Sequence, residues 1–164
     1  MFTENNIKTA TELLVVLKNR GVKLATAESC TGGLIAALFT EISGSSAVFE
    51  CGFVTYSNKS KTNLLGVDSK LITEYGAVSE EAAKAMAQGA IGRANADIAV
   101  AVTGIAGPTG GSAEKPVGTV YIAVGGMAGT ICEKNIFSGN RQQIRASAVA
   151  YALNMLQKIL IKAI

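Results

Sequence analysis

Residues 97–103 have the sequence Asp-Ile-Ala-Val-Ala-Val-Thr, in which five consecutive residues are apolar. A strand with apolar side chains at every position, rather than at every second one, is typical of a strand covered on both faces of its sheet. The segment leads into a glycine-rich loop at 104–118. It therefore predicts the central strand of an α/β fold, with a loop where such folds bind ligands.

The flanking segments predict helices and strands in alternation, from helical spacing, capping residues and β-branched runs. The predicted elements are a helix at 6–20, a strand at 22–27, a helix at 34–41, a strand at 48–56, a helix at 57–65, a helix at 79–95, a strand at 97–103, a hairpin of 117–124 and 130–137, and a helix at 141–162. With helices on both faces, the order predicts a three-layer α/β/α single domain, 1–164, with a mixed sheet.

The composition excludes several kinds of chemistry. No histidine occurs among the 164 residues, which excludes a Ser-His-Asp triad and any zinc site that needs imidazole. The cysteines at 30, 51 and 132 lack CxxC spacing and predict free thiols in a reducing cytosol, so the expected location is cytoplasmic.

Charge and hydropathy limit the partners. The net charge of +3 comes from 15 basic and 12 acidic residues scattered along the chain, without the dense basic run that nucleic acid requires. No apolar run approaches the roughly 20 residues that span a bilayer. We therefore expect neither a nucleic-acid partner nor a membrane segment.

The turn between the first predicted strand and the second helix is the first candidate site. Ser29 is a candidate nucleophile, with the backbone N–H groups of Thr31, Gly32 and Gly33 as an oxyanion hole. Cys30 is a rival nucleophile, because a helix amino terminus lowers the pKa of a thiol. Alternatively, Ser29 or Thr31 only caps the helix and the glycines only permit the turn.

The second candidate cluster is Tyr-Ser-Asn-Lys-Ser-Lys at 56–61. A serine nucleophile without histidine needs another base, and a lysine serves if burial disfavours its ammonium form. Lys61 fits that role, while Lys59 points in another direction on the same helix. Tyr56 is a candidate for relaying a proton or positioning substrate. The alternative is two solvated lysines and a packed tyrosine.

The third candidate is the loop 103–118. Its backbone amides and Lys115 suit a phosphate, as do Arg141 and Arg145 at the start of the last helix. The loop has neither Walker A nor GxGxxG order. Structural glycines and surface arginines are the alternative explanation.

Three segments in this order, TAESCTGG (26–33), FVTYSNKSK (53–61) and VTGIAGPTGGSAEKPVGTV (102–120), resemble the CinA carboxy-terminal domain family, as do GAVSEE (76–81) and FSGNR (137–141). The resemblance covers nearly the whole chain and corresponds to the stand-alone form. It implies an amidohydrolase that converts nicotinamide mononucleotide to nicotinate mononucleotide and ammonia in pyridine nucleotide salvage, with no metal and no cofactor.

The resemblance also assigns roles. The family's serine corresponds to Ser29, its lysine to Lys61 and its tyrosine to Tyr56. The family's ligand-binding region corresponds to Thr103, Gly104 and Gly107 of the loop, with Arg141. Together with the residues themselves, it implies a Ser-Lys mechanism acting on a small-molecule nucleotide. The competing class is a non-catalytic nucleotide-binding or adaptor module.

The apolar end of the last helix indicates self-association. Ile159, Leu160, Ile161 and Ile164 would suit a face shared between copies of the chain. We therefore expect a homodimer or higher homo-oligomer.

Overall fold

The computed structural model describes residues 2–162, with side chains through residue 160. The helices are α1 (Glu4–Asn19), α2 (Leu34–Thr40), α3 (Asn58–Leu65), α4 (Ser69–Tyr75), α5 (Glu80–Ala94) and α6 (Arg141–Lys162). The strands are β1 (Leu24–Glu28), β2 (Phe49–Val54), β3 (Ile98–Gly104), β4 (Thr119–Gly126) and β5 (Gly129–Ile136). A short 3-10 turn, Ser45–Ala47, precedes β2.

The five strands form one mixed sheet in the order β2-β1-β3-β4-β5. Strand β1 is parallel to both β2 and β3, whereas β4 is antiparallel to β3 and to β5. The predicted central strand is confirmed, because β3 lies in the middle and is buried from Ile98 to Thr103. A two-residue turn at Met127 and Ala128 joins β4 to β5.

The two faces of the sheet differ in the size of their side chains. Val100 and Val102 of β3 pack in a cluster of large apolar residues contributed by α1, α2 and α6. Ala99 and Ala101 point to the other face, into a cluster that includes alanines of α5. Small residues on both sides let α5 lie close to the sheet. The expected three-layer α/β/α architecture is confirmed.

Several boundaries differ from those expected from the sequence by one or two residues, and one helix was not predicted. Strand β2 ends at Val54 rather than at 56, and Ser57 then caps α3 in a reciprocal capping box with Ser60. Helix α4 was not predicted: it is seven residues long, begins after the Asp68 cap and buries only Ile72. Such a short helix has too few turns to show apolar periodicity.

The described apolar side chains near the end of α6, at 159 and 160, pack against the chain's own core. Leu160 is buried in the chain's own core, so the expectation that it contributes to a face shared between copies is wrong, whereas Ile159 is only partly buried against that core. The side chain of Ile161 and the whole of Ile164 lie outside the described residues. Self-association of the chain stays a prediction, and it no longer includes a contact made by Leu160. None of the described helices is long and apolar enough to cross a membrane.

Candidate active site

A cavity of about 290 Å³, the catalytic cavity, opens at the carboxyl ends of β1, β2 and β3. Because these parallel strands end at the same edge of the sheet, the three candidate segments meet there. The lining includes Ser29 and Cys30 after β1, Tyr56, Asn58 and Lys61 after β2, Ala77 and Val78 before α5, Thr103 through Gly107 with Thr109 and Gly110 after β3, and Arg141.

A serine–lysine pair lies at the bottom of this cavity. Lys61 Nζ is 3.0 Å from Ser29 Oγ and donates a 2.8 Å hydrogen bond to the carbonyl oxygen of Thr55. The lysine is 1% exposed and the serine 8% exposed. Lys59 is exposed on the same helix, as its different direction predicts. The lysine that the sequence favoured therefore faces the serine.

Burial controls the protonation of Lys61. Loss of hydration disfavours the ammonium form and lowers the pKa of Lys61 below 10.5, and the opposing influence of Cys30, which raises it, is weaker. Among the described side chains, no carboxylate pairs with this amine. The neutral amine, which can accept a proton, is thereby favoured.

Cys30 has the opposite character. Burial raises the pKa of this thiol to about 11, with a further raising influence from Glu28, so the predicted lowering at the helix start is wrong. At neutral pH the thiol stays protonated and is a poor nucleophile. The geometry therefore favours Ser29 over its neighbour.

We expect Cys30 to be alkylated slowly. A pKa of about 11 instead of 9.0 leaves about a hundredfold less thiolate at neutral pH, and burial slows access further. The rate of carbamidomethylation at Cys30, followed by peptide mass spectrometry, should be at least a hundredfold below that of a free cysteine peptide. Labelling at the free-peptide rate would contradict this account of the thiol.

Glu28, a residue that sequence analysis missed, holds the start of α2. Its carboxylate is fully buried and accepts hydrogen bonds from the backbone N–H groups of Gly33 (3.1 Å), Ile35 (3.1 Å) and Ala36 (2.8 Å). The N-cap residue is Gly33, and no side chain at that position caps the helix. The alternative in which Ser29 or Thr31 caps α2 is therefore wrong.

Two of the three amides predicted as the oxyanion hole, those of Gly32 and Gly33, are already engaged. The Gly33 N–H donates to Glu28, and the Gly32 N–H donates to the carbonyl of Ser29 at 3.0 Å. None of Thr31, Gly32 and Gly33 lines the catalytic cavity. The prediction for these three residues thus needs correction. Within residues 2–162, the N–H of Cys30 donates to no backbone carbonyl, and this residue does line the cavity.

Arg145 supports the turn instead of the cavity. Its guanidinium donates to the carbonyl oxygens of Cys30 (3.1 Å) and Thr31 (2.9 Å). It packs so closely on Gly32, whose φ is +61°, that a Cβ there would lie 3.3 Å from Arg145 Nη2. Gly32 is therefore required for backbone geometry and close packing.

Replacing Glu28 should destabilise the fold. In Glu28→Gln the side-chain amide can accept at only one of its two terminal atoms, which leaves at least one buried N–H of α2 unpaired. We expect the free energy of unfolding to fall by about 2 kcal/mol, as for other hydrogen bonds to a charged group. Urea denaturation measures this change. The control is Glu41→Gln at the exposed end of α2, and equal stability of both variants would contradict the assigned role.

The glycine loop after β3 and the segment before α5 form the wall of the catalytic cavity on the side away from the turn at Ser29. Thr103 Oγ1 donates to the carbonyl of Ala77 at 2.7 Å, which joins the end of β3 to that segment. A Cβ at Gly104 would lie 2.8 Å from the carbonyl oxygen of Thr119, so only glycine fits there. Ala77 and Val78 were not predicted as lining, although they lie in the GAVSEE motif.

Arg141 and Tyr56 meet at the mouth of the cavity. Arg141 donates to the Tyr56 hydroxyl (2.7 Å) and to the carbonyl of Gly107 (2.9 Å). The tyrosine hydroxyl thus contacts Arg141 rather than the serine–lysine pair, which favours substrate positioning over proton relay. Lys115 donates to the carbonyl of Tyr75 and does not line the cavity.

The fold and this site define a class: an α/β/α protein in which a buried serine faces a lysine, in a chain without histidine. The model of the family described as the CinA C-terminal domain matches residues 6–160. The chain belongs to this family, and the resemblance seen in its sequence is confirmed.

Three relatives illustrate the match. The nicotinamide-nucleotide amidohydrolase PncC of Escherichia coli K12 is 52% identical over 141 residues, which are 85% of this chain and 86% of that protein. A CinA-like protein of Geobacter sulfurreducens is 50% identical over 98% of this chain, which spans only 38% of that longer protein. The crystal structure of a competence/damage inducible protein from Agrobacterium tumefaciens superposes with a TM-score of 0.93 at 46% identity, covering 96% and 97% of the two chains.

Proposed function

We propose that this chain is a nicotinamide-nucleotide amidohydrolase that converts nicotinamide mononucleotide to nicotinate mononucleotide and ammonia. The observation that carries the chemistry is the 3.0 Å separation of Lys61 Nζ and Ser29 Oγ at the bottom of an open cavity. The reaction and substrate class follow the name of the Escherichia coli relative, whose length this chain nearly matches.

In the first half-reaction, neutral Lys61 takes the proton of Ser29 as Oγ bonds to the carboxamide carbon. The amine already donates to Thr55, which fixes its position beside the hydroxyl. The oxyanion accepts a hydrogen bond from the Cys30 N–H. The lysine ammonium then gives its proton to the nitrogen, the carbon–nitrogen bond breaks, and ammonia leaves an acyl-serine.

In the second half-reaction, a water molecule takes the place of ammonia. Lys61 removes a proton from this water as its oxygen bonds to the acyl carbon, and the proton then returns to Ser29 Oγ as the acyl bond breaks. No other lining residue of the catalytic cavity is a carboxylate or a second amine, so one base serves both halves. The product is the carboxylate.

The charges around the cavity favour an anionic substrate. Apart from buried Lys61, the cation among its described lining residues is Arg141, and no aspartate or glutamate lines it. We assign the substrate phosphate to Arg141, with Tyr56 and the glycine loop around the ribose, because a guanidinium binds phosphate through two parallel hydrogen bonds. Thr103 and Gly104 are assigned to the carboxamide end.

A coupled assay of ammonia release from nicotinamide mononucleotide tests the function. Turnover with equal amounts of ammonia and nicotinate mononucleotide would support it. Binding of the nucleotide by calorimetry without turnover would overturn it and favour the non-catalytic module. Nicotinamide, which lacks the phosphate, should be a far poorer substrate and serves as the control.

The activity should rise with pH. The neutral form of Lys61 is the active one, and burial lowers its pKa below 10.5, so kcat/KM should increase with pH with a midpoint below 10.5. Initial rates over a pH series give the midpoint. Lys59→Met, which changes an exposed lysine two residues away, should keep the same profile. A flat profile, or a midpoint at 10.5 or above, would contradict Lys61 as the base.

A further inference from the structure

A second and larger cavity, of about 520 Å³, lies beside the first, between the beginnings of α1, α2 and α6. We call it the α1–α6 cavity. Phe2, Leu34 and Val149 supply apolar walls, and the basic residues Arg141 and Arg145 also line it. Its volume is within the range of about 300–1,000 Å³ that is typical of small-molecule sites.

The charge of this cavity selects an anion. Neither an aspartate nor a glutamate lines it, and among the described residues no carboxylate lies within 4.0 Å of Arg141 or Arg145. The guanidinium of Arg145, which has no carboxylate partner among the described residues, suits a phosphate because it can donate parallel hydrogen bonds to it. The aromatic ring of Phe2 and the aliphatic walls suit a flat apolar group attached to that phosphate.

The same two arginines hold the catalytic cavity together. Arg145 donates to the carbonyls of Cys30 and Thr31, directly after Ser29, and Arg141 donates to Gly107 and Tyr56. A phosphate accepts hydrogen bonds from a guanidinium more strongly than a neutral carbonyl does. A phosphate in the α1–α6 cavity would therefore draw Arg145 away from the turn that positions the nucleophile.

We propose that the α1–α6 cavity is an inhibitory site for a nucleoside monophosphate. The phosphate pairs with Arg145, which does not line the catalytic cavity, and the base lies against Phe2 and Leu34. Occupancy loosens the turn after Ser29 and lowers kcat. The kinetic part of this proposal rests on the proposed function, whereas the binding site itself does not.

Calorimetry with adenosine 5′-monophosphate, inorganic phosphate and adenosine tests the site. We expect the nucleotide to bind at least tenfold more tightly than either part. Ala146→Trp fills the cavity from an exposed position of α6, and Ala146→Glu places a carboxylate next to Arg145. Either change should weaken binding at least tenfold. Asn154→Trp, also exposed on α6 but outside the cavity, is the matched control.

Kinetics then test the coupling. Adenosine 5′-monophosphate should lower kcat at saturating nicotinamide mononucleotide in the wild type and in Asn154→Trp, and not in the two Ala146 variants. Inhibition that excess substrate removes, or that persists in both Ala146 variants, would overturn the proposal, as would failure of the nucleotide to bind.

Sedimentation provides a further test. A change of oligomeric state in Ala146→Trp would show that this face contacts a second copy of the chain, which also overturns the proposal. Absence of ammonia release would defeat the proposed function, while the calorimetric result would still decide the site.

Discussion

Ser29→Ala should reduce kcat for ammonia release by about a thousandfold or more, because it removes the atom that forms the acyl-enzyme. The substitution takes away one oxygen from a residue that is 8% exposed, so the fold should survive. Rates of ammonia release, with the thermal midpoint measured on the same preparation, separate loss of chemistry from loss of structure.

The neighbouring residue provides the matched control. Cys30→Ala removes a thiol that burial keeps protonated, and it should change kcat by less than about threefold. If Ser29→Ala kept near-normal activity while Cys30→Ala lost it, the nucleophile would lie one residue further along. Retention of activity in both variants would reject the covalent route at this turn.

Lys61→Met should reduce kcat by about 10²–10⁴-fold, the usual contribution of a positioned general base. Methionine keeps an apolar stem of similar length but has no nitrogen to accept the serine proton. Removal of a desolvated amine offsets the lost hydrogen bond to Thr55, so the free energy of unfolding should change by only about 1 kcal/mol. Ammonia release and urea denaturation measure the two effects.

A double substitution distinguishes a joint role from two separate ones. If Ser29 and Lys61 act as one unit, Ser29→Ala/Lys61→Met should be no slower than the slower single variant. Multiplication of the two losses would mean that the lysine does something other than activate the serine. Lys59→Met on the exposed side of α3 should have wild-type activity.

The serine–lysine pair was predictable because its position follows from local rules. Strand β1 ends at Glu28, which places Ser29 at the carboxyl end of the sheet. Helix α3 is capped at Ser57, so Lys61 points inward and Lys59 stays exposed. Parallel strands with the same direction end at the same edge, so two segments 32 residues apart come together.

The role of Glu28 was not predictable from the same rules. Capping motifs are defined by spacings of two or three residues, whereas this carboxylate reaches amides five to eight residues ahead. The amides of Gly32 and Gly33 were therefore predicted to be free to donate hydrogen bonds to an anion. A sequence does not show which acceptors an amide already has. A glutamate at the end of a mostly apolar strand, four residues before a pair of glycines, is the available signal.

The turn between β4 and β5 has a practical consequence. Met127 is 98% exposed, and the turn lies beside the beginning of β3, at the end of the sheet away from the catalytic cavity. Exposed hairpin tips tolerate inserted sequence well. A peptide tag inserted between Met127 and Ala128 would attach the protein to a bead or sensor chip with the catalytic cavity facing the solution.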